Sequence, residues 1–242
     1  MNIHTIILAA GKGTRMNTNL PKVMQPLGGK TIISHVIDTA QKVSDHITLV
    51  TGYKKEVLKQ FIGASYPNVI SVDQDEQLGT GHAVKQASHL IAPNQKILIL
   101  YGDVPLIAEA TIQALISETT DCCLLSMLPD DPTPYGKVIK DSLGHAIKIT
   151  EQKDASDEER KIPEVFTGIM TVNGEMLVTA LDEINNKNAA SEYYLTDLVE
   201  ILSSKGVKIN CIQANPDEVV GANNKQELHQ LESILRNMKS EQ

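Results

Sequence analysis

The residues of this 242-residue chain whose types and spacing could do chemistry begin at Gly11-Lys12-Gly13. Thr14-Arg15 follows directly, and Pro21-Lys22 comes soon after. Glycine lacks a Cβ, so the backbone can turn sharply at Gly11 and Gly13 and bring its N–H groups close to a ligand. Arg15 and Lys22 add two cations on the same side of that turn. A glycine turn, free amides and two positive charges make a phosphate cradle. Two better-known phosphate loops do not fit. The Walker spacing is absent after Gly11, and Met16 stands where the dinucleotide fingerprint needs its third glycine. A bare glycine pair after a strand also reads as a tight turn between strand and helix. Further along, Asp103 follows Tyr101-Gly102, where a carboxylate could meet a metal ion or simply form a turn or helix cap.

The elements that must position these groups alternate between strand and helix. Residues 5–10 form an apolar, β-branched run that predicts a buried strand. Residues 31–43 carry a helical apolar face. Strands are expected at 46–51, 69–72 and 96–101, with helices at 54–62 and from the Gly79-Thr80-Gly81 loop to about 91. This alternation predicts an α/β fold, a mostly parallel sheet with helices on both faces. Ligands of such sheets lie beyond the C-terminal strand ends, where the glycine loop, the 74–81 loop and Gly102-Asp103 all fall. The second half reads as strands at 122–128 and 166–172, a hairpin of 137–140 with 146–151, helices at 175–184 and 196–203, a late strand at 207–212 and a closing helix at 225–239. The expectation is one domain over 1–242, with a nucleotide half at 1–120, a β-rich lid at 121–224 over the other end of the ligand, and the closing helix at 225–242.

Composition bounds the rest. Hydrophobic residues are 41% and charged residues 21%, the ordinary balance of a globular protein. Aromatics are only 3%, with no Trp, so the core must rest on aliphatic side chains and Met. Lys and Arg number 22 against 30 Asp and Glu, a net charge of −8. That balance argues against nucleic-acid and membrane-surface partners and requires local cations to meet an anionic substrate. Cys122, Cys123 and Cys211 fit neither a disulfide framework nor a zinc ribbon. The N-terminal residues do not read as a secretory signal, and no apolar run reaches membrane-spanning length, so a cytoplasmic location is expected.

The longer string L-A-A-G-K-G-T-R-M with a trailing L-P-K resembles the signature of sugar-phosphate nucleotidyltransferases. The ordered blocks EQLGTGHA, LYGDVPL, PYGKV, EQKDA, TGI, EYYLTD and VGANN extend the resemblance over nearly the whole chain, to the N-acetylglucosamine-1-phosphate uridyltransferases. The resemblance implies a Rossmann-like nucleotidyltransferase that uses UTP, a sugar 1-phosphate and Mg²⁺ to make a UDP-sugar for cell-envelope polysaccharides. By that resemblance Leu8, Ala10, Gly11 and Gly13 lie along the nucleotide. Arg15 and Lys22 contact its phosphates, with Asp103 the third catalytic residue, and Gln74, Gly79 and Thr80 read uracil. Asp103 and Asn223 hold the metal. Tyr101, Gly136, Glu151, Phe166, Tyr194 and Thr196 surround the sugar phosphate, with Glu151 accepting from an acetamido N–H. Taken alone, Tyr194 and Thr196 read equally as a helix start, and Asn223 as a cap on the closing helix.

Two departures stand out. The family usually places Asn where this chain has Phe166, so the aromatic ring is expected to wall the sugar site with no hydrogen bond to offer, the alternative being a shifted strand with Phe166 facing the core. The family's common members also continue into a left-handed β-helix that builds a trimer and acetylates glucosamine 1-phosphate. This sequence has no hexapeptide repeats. It reads as a piece of such an enzyme or as a stand-alone uridyltransferase, monomeric or weakly self-associating. Two rivals remain open: the same chemistry on another sugar or nucleotide, and a non-catalytic nucleotide-sugar binder on the same fold.

Overall fold

The computed structural model describes residues 2–13 and 20–240. In chain order the elements are β1 (Asn2–Ala9), β2 (Pro26–Leu27), β3 (Lys30–Thr31), α1 (Ile32–Ala40), β4 (His46–Thr51), α2 (Lys55–Ser65) and β5 (Ile70–Asp73). There follow α3 (Thr80–Gln86), β6 (Gln95–Tyr101), α4 (Glu109–Ser117), β7 (Cys122–Met127), β8 (Lys137–Lys140) and β9 (Ala146–Thr150). The chain continues through β10 (Val165–Asn173), α5 (Gly174–Leu181), α6 (Asp197–Ser204), β11 (Ile209–Gln213) and α7 (Lys225–Ser240).

One sheet carries the molecule, with strand order β11-β7-β10-β6-β1-β4-β5. β1 is the centre because its run Ile3 to Ala9 is buried throughout, as a strand covered on both faces must be. It pairs in parallel with β4 and β6, and β4 pairs in parallel with β5. β10 is antiparallel to both β6 and β7, and β11 is parallel to β7. β10 therefore runs against the rest of that path, and its start lies at the edge where β1, β4, β5 and β6 end. The second half of the chain extends the first half's sheet through β7, β10 and β11. The β8–β9 hairpin is the part that stands off it, joined through the Val165–Lys137 pair.

Apolar residues on the two faces collect separate helices. Val36 and Ile37 of α1, Leu58 and Ile62 of α2 and Ile112 and Leu115 of α4 pack with Ile7, Leu98 and Leu100 on one face. Ala83 and Val84 of α3, Leu177 and Leu181 of α5 and Leu198 and Leu202 of α6 pack with Ile6, Ile97 and Ile99 on the other. A smaller cluster of Leu27, Ile32, Leu106, Ala222 and Leu231 docks α7 beside the β2–β3 hairpin. Helix α4 is not signalled in the sequence reading, because the apolar run just before it obscures its period. All three cysteines are unpaired, with Cys122 and Cys123 buried. Among the described residues no helix is long and apolar enough to cross a membrane.

Candidate active site

Beyond the C-terminal strand ends lies a cleft of about 880 Å³. Leu8, Ala10, Gly11, Lys22, Gln74, Gly79, Thr80, Tyr101, Asp103 and Asn223 all line it. The β1, β5 and β6 corners thus converge as the sheet topology requires. Arg15 lies outside the described residues. Gly13 sits at φ +56°, a conformation that favours glycine, and a Cβ there would come within 2.7 Å of the Lys22 Cβ. The glycine loop and the Lys22 stem are in van der Waals contact, which fixes where the ammonium can go.

Lys22 Nζ donates to Asp103 Oδ2 at 2.5 Å and to Asn223 Oδ1 at 2.9 Å. The Lys22 and Asp103 side chains are only 17% and 11% exposed, so the pair is largely out of water. Asp103 is held by its own backbone as well, since its carbonyl accepts from Ala222 N at 2.9 Å. That bond brings the segment ending in Asn223 against the β6 corner. The cap of α7 is formed by Asn224, whose Oδ1 accepts from Glu227 N at 2.9 Å. Glu227 Oε2 in turn accepts from Asn223 N at 2.7 Å. Asn223 is therefore not the cap, and its amide is left to face Lys22. A carboxylate and a carboxamide oxygen already share one cationic partner here. Hard oxygen donors of this kind suit a small divalent ion that completes its shell with phosphates and water. Among the described residues no cluster of three or more His, Cys, Asp or Glu assembles a metal site unaided.

Of the residues expected around a sugar phosphate, Tyr101 lines the main cleft. Its ring packs on Gly168, which has φ +91° and where a Cβ would lie 2.5 Å from Tyr101 Cε2. Thr80 hydrogen-bonds the Tyr101 side chain, and burial, then the carboxylates of Glu151 and Asp103, push the phenol well above its ordinary range. Glu151 accepts from Thr196 Oγ1 at 3.0 Å, and Gly136 lies beside it against Ile149, where a Cβ would fall 2.9 Å from Ile149 Cγ2. Thr196 precedes α6 without capping it, so its hydroxyl serves Glu151 instead. Burial raises Glu151, with the Thr196 hydrogen bond acting against it and Asp154 and Glu192 adding to it. Glu151 and Tyr194 line a second hollow of about 420 Å³ rather than the main cleft. Asp154, Asp197 and Glu200 crowd that hollow. Asp197 is pushed up to about 6 by burial and by the Glu200, Glu151 and Asp154 carboxylates. Tyr194 is pushed up to about 12 by burial and then by the carboxylates of Asp154, Glu151 and Glu192.

Phe166 is placed differently from the expectation of a ring walling the sugar site. It is 6% exposed, lies in the core cluster with Val138, Ile149 and Met170, and lines neither hollow. The β8–β9 hairpin brings Val138 and Ile149 to this face of β10, and burying the ring among them is the favourable place for so large an apolar group. Thr167, one position on and facing the other way, reaches the main cleft instead.

Several cleft residues escape the sequence reading. Gln77, Tyr135, Thr167, Glu192 and Gln230 line it, and the first four stand within motif blocks already noted. Lys137 is fully buried and donates to Pro132 O and, at 3.1 Å, to Tyr135 O, which fixes the loop that brings Tyr135 to the cleft. A strap at 193–196 ties the main cleft to the second hollow. Tyr193 N donates to Leu78 O and Gly81 N to Tyr193 O, both at 2.8 Å. Leu195 N donates to Thr80 Oγ1 at 3.1 Å, and Thr196 is the residue that serves Glu151.

Known proteins resemble this chain in sequence and in fold. The sequence model of the MobA-like NTP transferase domain matches residues 5–153. The bifunctional protein GlmU of Cellvibrio japonicus (strain Ueda107) is 46% identical over 231 residues, which cover 94% of this chain and 51% of that protein. The bifunctional protein GlmU of Idiomarina loihiensis is 42% identical over 246 residues, covering 100% of this chain and 54% of its own. The chain thus spans about half the length of these curated relatives. A Bacillus anthracis structure assigned as a glucose-1-phosphate thymidylyltransferase, solved with sucrose, superposes with a TM-score of 0.79 at 19% identity over 97% of this chain and 96% of that one, a likeness of fold. By the match over more than half its length, the chain belongs to the MobA-like NTP transferase domain family.

Proposed function

We propose that this chain transfers a uridylyl group from UTP to N-acetylglucosamine 1-phosphate, releasing pyrophosphate. The observation that carries the reading is the meeting of Lys22, Asp103 and Asn223 in the cleft that Gln74, Gly79, Thr80 and Tyr101 also line, with Thr196 and Glu151 joined to it through the 193–196 strap. The 42–46% identity to proteins named bifunctional GlmU supports the same assignment.

The attacking sugar-phosphate oxygen is already an anion at neutral pH, so the chain need not supply a general base. Its task is to align two mutually repelling phosphates and to neutralise the charge that moves onto the leaving group. Lys22 provides an ammonium for that charge, and the backbone at Leu8–Gly11 lies along the nucleotide. Gln74, Gly79 and Thr80 meet the base. Glu151, held by Thr196, accepts from the acetamido N–H, while Tyr101 and Gly136 shape the space between. A divalent cation, Mg²⁺ in this reading, would be held by Asp103 and Asn223 and would screen the reacting phosphates.

The test is pyrophosphate release over a panel of nucleoside triphosphates and sugar 1-phosphates. UTP with N-acetylglucosamine 1-phosphate is expected to lead the panel. Asp103→Asn is expected to lower turnover by about 10²–10³ while the fold stays intact. Full activity in excess chelator refutes the metal's part. A flat response across the panel refutes the uridylyl reading.

A further inference from the structure

We infer that His82 is a positioning residue that holds the Gln74 amide with its oxygen toward the cleft, so that the base end takes uracil and turns away cytosine. The inference deepens the nucleotidyl-transfer reading above and rests on it.

A side-chain amide has two faces, one donating and one accepting, and a half-turn exchanges them. Uracil presents a ring N–H between two carbonyl oxygens. Cytosine presents a bare ring nitrogen at the same place. A glutamine that reads this edge must therefore be told which way to face. Gln74 follows β5, is 3% exposed and lines the cleft. Its Nε2 donates to Gly79 O at 3.0 Å and lies 3.0 Å from His82 Nδ1. A carbonyl oxygen only accepts, so the nitrogen must face Gly79. The amide nitrogen has no lone pair to offer, so His82 Nδ1 must accept and the ring proton sits on Nε2.

Both hydrogens of Nε2 are then used, and the amide cannot turn without losing both bonds. Among the described residues no donor meets Gln74 Oε1. Nor is it sealed off, since the buried, unpartnered side-chain atom among them is Gln152 Oε1. The oxygen is left for a ligand that brings its own N–H. The ring that enforces this is itself fixed. His82 lies on α3, packs against Tyr193 with centroids 6.2 Å apart, and has the Gln86 amide 3.1 Å from its Nε2. The Gln86 nitrogen donates to His82 O at 3.1 Å, so with the proton on ring Nε2 its approach to that nitrogen is a contact and not a hydrogen bond. Gly79 O alone would leave one of the two hydrogens unpaired and the amide's direction weakly set.

The test compares UTP with CTP in wild type, His82→Leu and His82→Asn, with affinity read by calorimetry and kcat/KM by pyrophosphate release. Leucine fills the space without an acceptor, and asparagine offers an oxygen close to where Nδ1 stood. The Leu variant is expected to lose about tenfold of the UTP-over-CTP preference, the weight of one orienting hydrogen bond. That loss is expected in the UTP KM, with the sugar-phosphate KM unmoved, and the Asn variant restores it. Long-range ¹H–¹⁵N correlation on the wild type reads the tautomer without any variant. A neutral ring with the proton on Nε2 supports the inference, and a proton on Nδ1 overturns it. A Leu variant with the wild-type preference overturns the inference alone. A wild type that binds UTP and CTP alike overturns the uridine reading and this inference with it.

Discussion

Replacing Lys22 by Met separates its structural and chemical parts. The ammonium bridges Asp103 at 2.5 Å and Asn223 at 2.9 Å, and both members of the ion pair are mostly desolvated, at 17% and 11% exposure. Removing one partner of a buried pair leaves the other charge uncompensated, at a cost of about 3–5 kcal/mol. The residual exposure places this pair at the lower end, about 3 kcal/mol. For a chain of this size 1 kcal/mol corresponds to roughly 2–4 °C in Tm, so a fall of roughly 6–12 °C is expected without metal. The loss is recoverable, because a divalent cation can pair with Asp103 once the ammonium is gone. A cation at a hundred times its Kd returns about 2.7 kcal/mol, close to the whole deficit. Thermal melts of wild type and Lys22→Met, in chelator and in saturating MgCl₂, read both quantities. The variant is expected to gain far more from Mg²⁺ than wild type, whose ammonium the metal must first displace. Turnover is expected to stay about 10²–10³ below wild type even after stability is regained. An unchanged Tm in chelator, or an equal Mg²⁺ gain in the two proteins, refutes the reasoning.

Phe166→Asn puts an amide where a buried ring now packs, so denaturant unfolding should show a loss of about 3–5 kcal/mol, with no rise in kcat/KM for the sugar phosphate. Gly168→Ala forces a side chain into left-handed backbone and against the Tyr101 ring. It is expected to cost at least about 2 kcal/mol in the same measurement, and to weaken sugar-phosphate binding through Tyr101. His4 is 3% exposed and bonded to Thr48 and Gln95, and burial holds it below its ordinary 6.5. The unfolded chain therefore takes this proton first as pH falls. The stability His4 confers is complete above 6.5 and is lost as pH drops through the lower folded value. His4→Gln should flatten that part of the unfolding-midpoint profile against pH.

The end of the cleft at β1, β5 and β6 is the part most legible in the sequence, because each corner there is a contiguous run placed by a strand end. Ala10-Gly11 after β1, Gln74 after β5 and Asp103 after β6 arrive together once the strands are parallel. Lys22 and Asn223 are harder, since their meeting depends on the Asp103 carbonyl binding Ala222 and on Asn224 taking the cap. Phe166 shows the limit of strand alternation. Alternation tells which residues share a face of β10 but not that the β8–β9 hairpin covers that face. Lys137 is legible only in three dimensions, because nothing in its own sequence neighbourhood marks a lysine whose donors are taken up by the loop that precedes it. The acidic hollow at Asp154, Asp197 and Glu200 joins two stretches, the EQKDA block and the first turn of α6, that only the fold brings together.

The strap at 193–196 makes the main cleft and the second hollow one mechanical object. Its backbone holds the Leu78–Gly81 loop, and its next side chain holds the Glu151 carboxylate. Any shift of Leu78–Gly81 on filling one end is felt at Thr196, and any pull on Glu151 is felt at Gly79. Occupancy of one end then carries a coupling free energy for the other, and such coupling is reciprocal: whatever factor the nucleotide adds to the affinity for the sugar phosphate, the sugar phosphate returns to the nucleotide.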